Sequence, residues 1–214
     1  GYTLVYGILR LINFAHGDIV MLGAMIALSV ITALGESGLP GLAIVAIGLA
    51  GAIPCCMLIG YLIERIAYRP LRHAPSLTPL ITAIGVSIVL QNLAMMIWGK
   101  EFITFPPLID MQYFSIAEAA INNVQIFIVI ISIVMMFALD YLVNQTKLGN
   151  AMRATAQNSE VAALMGVNVN TVISLTFVLG SALAAAAGLM VTAYYGLAHY
   201  DMGFMLGLKA FTAA

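Results

Sequence analysis

Of the chain's 214 residues, 63% are hydrophobic and 8% are charged, with 8 Lys and Arg against 9 Asp and Glu for a net charge of −1. A soluble domain carries roughly 25% charge, so this chain has too little polar surface for a water-soluble globule and too much apolar side chain for disorder. The balanced charge gives nucleic acid no handle, which leaves an all-α integral membrane protein, a multi-span helical bundle.

Charged residues divide the chain into apolar runs, several of which reach the roughly 20 residues needed to cross a bilayer. Residues 1–9 are the first, closed by Arg10. Residues 19–35 follow, closed by Glu36, and the turn residues Ser37, Gly38, Pro40 and Gly41 open a third run over 37–63, closed by Glu64 and Arg65. The fourth, 74–99, is entered through Pro75 and Pro79 and ends at Lys100. The fifth, 119–139, is expected to start its helix at Asn122, with Gln125 at capping-box spacing. The sixth, 161–200, is too long for one helix, and residues 168–171 divide it to leave 171–195. A seventh begins near Gly203 and stops inside an apolar stretch; with no initiator Met, the chain reads as a piece of a longer protein. About six to seven spans are expected, in one transmembrane domain over 1–214.

Arg65, Arg69 and Arg72 lie between the third and fourth runs, and Lys147 and Arg153 between the fifth and sixth. An even number of crossings separates these loops, so they share a side. The remaining loops hold Lys100 among Glu36, Glu101, Asp110, Glu118 and Asp201. Five cations against one place the arginine-rich side in the cytoplasm.

Catalytic motifs are missing. Cys55 and Cys56 are adjacent in an apolar run, and His16, His73 and His199 are far apart, so no metal site is expected. No lysine precedes Ser or Thr as a phosphate-cradling loop requires, and neither G-x-S-x-G nor S-x-x-K occurs. A T-V-G-Y-G filter is also absent. The expectation is a protein that is not an enzyme, with energy for pumping drawn from an ion gradient or another subunit.

Polar residues inside apolar runs are the informative ones, because charge within a bilayer costs about 2.5–3.5 kcal/mol on insertion scales. Residues 12–18 read I-N-F-A-H-G-D. Asn13, His16 and Asp18 either border a translocation route or form a cytoplasmic turn in which Asp18 caps the next helix. Gln91 and Asn92, with Thr82 and Ser87 nearby, either meet substrate or hydrogen-bond between helices. Gly180, Ala184 and Gly188 form an i, i+4, i+8 stripe for close helix packing, within the chain or between copies, and Gly203 and Gly207 repeat the spacing. Residues 146–167 are Ala-rich and helix-compatible, with Leu148, Met152, Thr155 and Ser159 on one face and Ala162, Ala163 and Met165 continuing it. That segment either lies on headgroups or docks in a partner's groove.

Four blocks, in order, carry a family resemblance: Y-G-I-L-R-L-I-N-F-A-H-G-D at 6–18, I-E-R-I-A-Y-R-P-L-R at 63–72, T-A-I-G-V-S-I-V-L-Q-N at 82–92, and residues 149–166 with T-F-V-L-G at 176–180. They resemble LivH-type permeases, the membrane subunits of branched-chain amino acid ABC importers. The closing residues 202–214 match as well, although the family continues through further helices.

The resemblance implies a fold of the ABC importer permease type in a bacterial or archaeal cytoplasmic membrane. It implies a second, LivM-like permease, two cytoplasmic ATPase subunits that bind ATP and Mg, and an extracytoplasmic substrate-binding protein. No cofactor is implied in this chain itself. Residues 146–167 become the coupling loop, with Lys147, Gly149, Arg153, Glu160 and Gly166 facing the ATPase. Asn13, His16 and Asp18 then lie near the pathway, with Gln91 and Asn92 as further candidates. Permeases for urea or short amides share similar signatures, and an ion-gradient-driven amino acid transporter is the alternative from the residues alone. A channel, or a structural subunit with no pathway of its own, are the other readings.

Overall fold

Apolar runs bounded by Gly, Pro and Asn become helices because, in lipid, a helix satisfies its own backbone. The computed structural model describes residues 2–9, 13–72, 74–75, 77–107, 113–116 and 119–213. The start of the 12–18 signature, His73, Asp110 and Glu118 therefore lie outside the described residues. In chain order the helices are α1 (Tyr2–Leu9), α2 (Ala15–Leu34), α3 (Gly41–Ile63), α4 (Leu77–Trp98), α5 (Asn123–Gln145), α6 (Lys147–Gln157), α7 (Ser159–Leu164), α8 (Val169–Tyr195) and α9 (Met202–Ala213). A wide π-turn, Glu64–Tyr68, and a 3-10 turn, Arg69–Leu71, prolong α3.

Among the described residues, five helices are long and apolar enough to cross a membrane: α2, α3 with its extension, α4, α5 and α8. The all-α class holds, and α1 and α9 at the two ends of the given sequence add to these five. Within the given sequence α1 has 8 residues and α9 has 12. Asn122 starts the fifth helix as expected. Val124 N–H donates to its Oδ1 at 3.0 Å, and its own N–H donates to Gln125 Oε1 at 3.1 Å. The head of that apolar run is a strand instead. β3 (Ala119–Asn122) pairs antiparallel with β2 (Tyr113–Ile116), in register Tyr113↔Asn122 to Ile116↔Ala119. Asn168 caps α8 through Thr171 N–H at 3.2 Å, so this helix starts two residues before the expected point.

The two ends of the bundle are pinned differently. At one end β1 (Ile103–Thr104) pairs with β4 (Leu197–Ala198), and the Lys100 carbonyl meets His199 Nε2 at 3.0 Å. At the other end, Arg72 bonds Glu64 and Asn170, and Ser174 Oγ donates to Glu64 Oε2 at 2.6 Å. The arginine-rich turn after α3 and the segment leading into α8 thus sit at the same end, as the parity of crossings requires.

The centre of the bundle is α2, which packs against α3, α8, α9 and α4. Its approach to α8 is backbone-close. A Cβ on Gly188 would overlap the Val20 carbonyl and stand 2.8 Å from Ala24 N. Gly17 and Gly203 face one another in the same way, with a Cβ on Gly203 only 2.9 Å from Asp18 Cα. Gly180, Ala184 and Gly188 are all buried. The packing at Gly188 is therefore within the chain, of the small-residue type that lets helices associate in lipid.

Gly188→Val is expected to destabilise the protein by more than about 3 kcal/mol, because backbone atoms cannot move aside as a side chain does. Gly85 has open space around its would-be Cβ, so Gly85→Ala should gain about 0.4–1 kcal/mol. Thermal unfolding in detergent measures both, and similar melting temperatures for the two variants would contradict this packing.

Candidate functional site

The polar start of α2 is the densest functional feature. Phe14, at the N-cap position, supplies no capping side chain, and His16 N–H instead reaches the Asn13 carbonyl at 3.1 Å. The side chains turn inward. Asn13, His16 and Asp18 are all buried, Asp18 completely. Asn13 Oδ1 accepts from Tyr68 Oη at 2.8 Å, and Asp18 Oδ1 accepts from Gln91 Nε2 at 2.9 Å. Gln91 Nε2 also lies 3.1 Å from Ser87 Oγ. Asn13 Nδ2 and Asp18 Oδ2 remain without a hydrogen-bond partner among the described residues.

This geometry removes the N-cap role of Asp18. The helix begins at Ala15, so Asp18 lies inside its first turn and is not the cap. Its partner Gln91 stands fourteen residues after Leu77, the first residue of α4, or about 21 Å along the helix. The carboxylate is thus level with the interior of a span. Gln91 adds a donor to the Asp18 carboxyl where lipid offers none.

His16 opens onto a cavity of about 270 Å³ between α2, α8 and α9. Val20, Leu183, Ala184, Ala187 and Leu206 make its walls largely apolar, with His16 as the polar contribution. Small-molecule sites begin near this size, roughly 300 Å³, and share this make-up of apolar walls with few polar groups. Gly17 also lines the cavity and sets how near α9 comes.

Not every expected residue joins this cluster. Asn92 points away from Gln91; it is exposed and donates to the Ile88 carbonyl of its own helix at 2.7 Å. Adjacent residues on a helix diverge by about 100°, so two neighbouring amides cannot both face Asp18. Sequence reading missed Glu64 and Tyr68. Both are buried by the π-turn, and Tyr68 also packs on Phe177 with ring centroids 5.2 Å apart. The available signal was a carboxylate flush with an apolar run, eight residues before an arginine. Burial pulls the Arg72 guanidinium below its ordinary pKa while Glu64 opposes the shift; it stays charged.

The 146–167 segment forms two helices rather than one. Thr146 caps α6 through Gly149 N–H at 3.1 Å, and Asn158 restarts the chain as α7 by capping Glu160 and Val161. Met152 and Thr155 are both buried, so the face expected to meet headgroups or a partner turns into the chain itself there, whereas Ser159, Ala163 and Met165 fall on exposed positions after the break. Gly149 packs on the Leu142 and Val143 carbonyls at the end of α5, where a Cβ would collide. Lys147, Arg153, Glu160 and Gly166 are exposed, and Arg153 ties α6 to α5 by donating to Asn144 Oδ1 at 2.8 Å. Gly166 takes a φ of +86° as α7 ends. Val161, Leu164 and Met165 are exposed, the last two more than 80%.

The family described as "Branched-chain amino acid transport system / permease component" matches residues 1–214. The high-affinity branched-chain amino acid transport system permease protein LivH of Escherichia coli K12 is 42% identical over 219 residues, covering all of this chain and 71% of that protein. The corresponding protein BraD of Pseudomonas aeruginosa is 42% identical over 220 residues with the same coverage. A probable branched-chain amino acid transport permease LivH of Methanocaldococcus jannaschii is 27% identical over 88% of this chain and 59% of its own length. No solved structure matches the chain.

Removing the donor to Asp18 tests the polar cluster. Gln91→Leu is expected to cost about 1–3 kcal/mol in unfolding free energy, the penalty for leaving a buried acceptor without its donor. Adding Asp18→Leu should recover part of that loss, since no carboxylate is then stranded. Additive losses in the double variant would show that the two side chains do not interact.

Proposed function

The chain belongs to the family of permease components of branched-chain amino acid transport systems, and we propose that it lines the route by which a small apolar amino acid crosses a bacterial cytoplasmic membrane. The observation that carries this reading is the placement of His16, beside buried Asn13 and Asp18, on the edge of the apolar cavity between α2, α8 and α9. A branched-chain amino acid is a zwitterion with a hydrocarbon side chain. The apolar walls suit the side chain, and the polar start of α2 shields the charged end at a depth where lipid cannot. With so few polar groups the permease holds substrate loosely, so an extracytoplasmic binding protein would supply selectivity. Loose holding also permits release as access alternates.

The driving force comes from a separate ATP-hydrolysing subunit docked on the arginine-rich, cytoplasmic end. The exposed apolar residues Val161, Leu164 and Met165 support a docking surface there, with Lys147, Arg153, Glu160 and Gly166 around it. Motion imposed on α6 and α7 passes to α5 through Arg153 and the Gly149 contact, and to α8 through the short link from Gly166. The second permease subunit completes the pathway.

Proteoliposomes containing the assembled transporter and internal or external ATP test both halves. Leucine uptake is expected to require ATP on the side of α6 and α7. His16→Ala or Asp18→Asn should lower it at least about ten-fold, equivalent to 1.4 kcal/mol, with assembly intact. Leu164→Glu should leave the membrane core folded and uncouple ATP hydrolysis from uptake. Transport of urea or acetamide in preference to leucine would transfer the assignment to short amides. Gradient-driven uptake by this chain alone would overturn the ATP-driven reading.

A further inference from the structure

A second cleft lies at the arginine-rich end, away from the α2 cluster. It has a volume of about 320 Å³ and sits between the end of α3 and the start of α8. Arg65 and Arg69 line one wall, Asn168 and Thr171 the other, and Tyr61 and Leu175 its membrane side. The charge here is unbalanced. Glu64 is committed to Arg72 and Ser174. Among the described residues no carboxylate forms an ion pair with Arg65 or Arg69. Arg65 donates to Tyr61 Oη at 3.0 Å and leans over its ring, which holds the guanidinium at the cleft mouth. The 27-residue α8 begins in the opposite wall and adds its positive dipole end.

Two guanidinium groups without a carboxylate partner among the described residues, beside a helix start, call for an anion, and fork-shaped guanidinium donors suit phosphate oxygens. The surroundings specify what carries that phosphate. Leu175 and Val178 floor the cleft, and the adjoining surface of α3 exposes Leu58 and Leu62, 59% and 42% accessible. A polar head with two cations above and an apolar strip below matches an amphiphile lying along the span. Basic pockets between helices at a membrane's cytoplasmic face hold anionic headgroups in this manner. We propose that the Arg65–Arg69 cleft is a binding site for the phosphate of an anionic phospholipid, whose acyl chains run along Leu62, Leu175 and Val178. The lipid would tie the π-turned end of α3 to the start of α8, next to the Glu64–Arg72 pair. This assignment does not depend on which substrate the protein carries.

The test uses the intact protein in nanodiscs of mixed phosphatidylglycerol and phosphatidylcholine, then native mass spectrometry of the lipids retained on release. Wild type is expected to retain phosphatidylglycerol selectively. Each surface arginine contributes about 5-fold to anionic-lipid affinity, so R65Q/R69Q should lower retention roughly 25-fold. R65K/R69K keeps the charge and should retain most of the binding, which separates loss of a site from loss of fold. Lys100→Gln, at the other end of the bundle, should change nothing. Dioctanoyl phosphatidylglycerol should raise the melting temperature of wild type and R65K/R69K but not of R65Q/R69Q, while glycerol 3-phosphate and inorganic phosphate should have little effect. Equal retention by wild type and R65Q/R69Q would overturn the proposal. So would full displacement by inorganic phosphate, or loss of the lipid whenever a partner protein binds, since each assigns the cleft to a different occupant.

Discussion

The architecture rests on a helix whose polar first turn lies among other helices at the depth of a membrane span. Asp18 is fully buried and Gln91 reaches it from α4, while Asn13 is met by Tyr68 from the π-turn after α3. Those two bonds fix where α3 and α4 stand relative to α2. They also explain the π-turn after α3. An ordinary α-turn would rotate Tyr68 and Glu64 differently, and wide turns of this kind recur where a side chain must be re-aimed.

Close backbone contact is the second consequence. The hydrophobic effect does not press helices together in lipid, so association depends on van der Waals fit and hydrogen bonds. Gly188 lets α8 touch the α2 backbone, and the Gly17–Gly203 pair lets α9 do so. The same contacts leave a gap where side chains along α8 and α9 diverge, and His16 faces that gap. The cavity and the tight packing therefore have one origin: small residues bring the backbones together and cannot fill the space beside them.

The two ends of the molecule suit different work. One is closed by a strand pair and the His199–Lys100 bond. The other carries a buried ion pair, an arginine-lined cleft and two short capped helices with exposed apolar tips. Gly149 and Arg153 bind α6 to α5, and only the four residues 165–168 separate α7 from α8. A push on the tips reaches the spans through few joints, as a transmitted motion needs.

Much was legible in the residues alone. Apolar run length determined that the chain crosses a membrane, because the bilayer's thickness sets helix length. The Asn122–Gln125 spacing located the start of α5, since a cap is a local bond between residues a few positions apart. Ordered motif blocks indicated the family. Tertiary structure decided the rest. Gln91 and Asn92 look equivalent in the sequence, yet helical rotation sends one to Asp18 and the other outward. The cap at Asn158, which breaks the coupling segment in two, competes with an Ala-rich pattern that suits a single helix. The bonds from Glu64 to Arg72 and Ser174, and from Asp18 to Gln91, join residues 8, 110 and 73 positions apart. Periodicity carries no information about partners on other helices, because which helices meet is settled only when backbones pack.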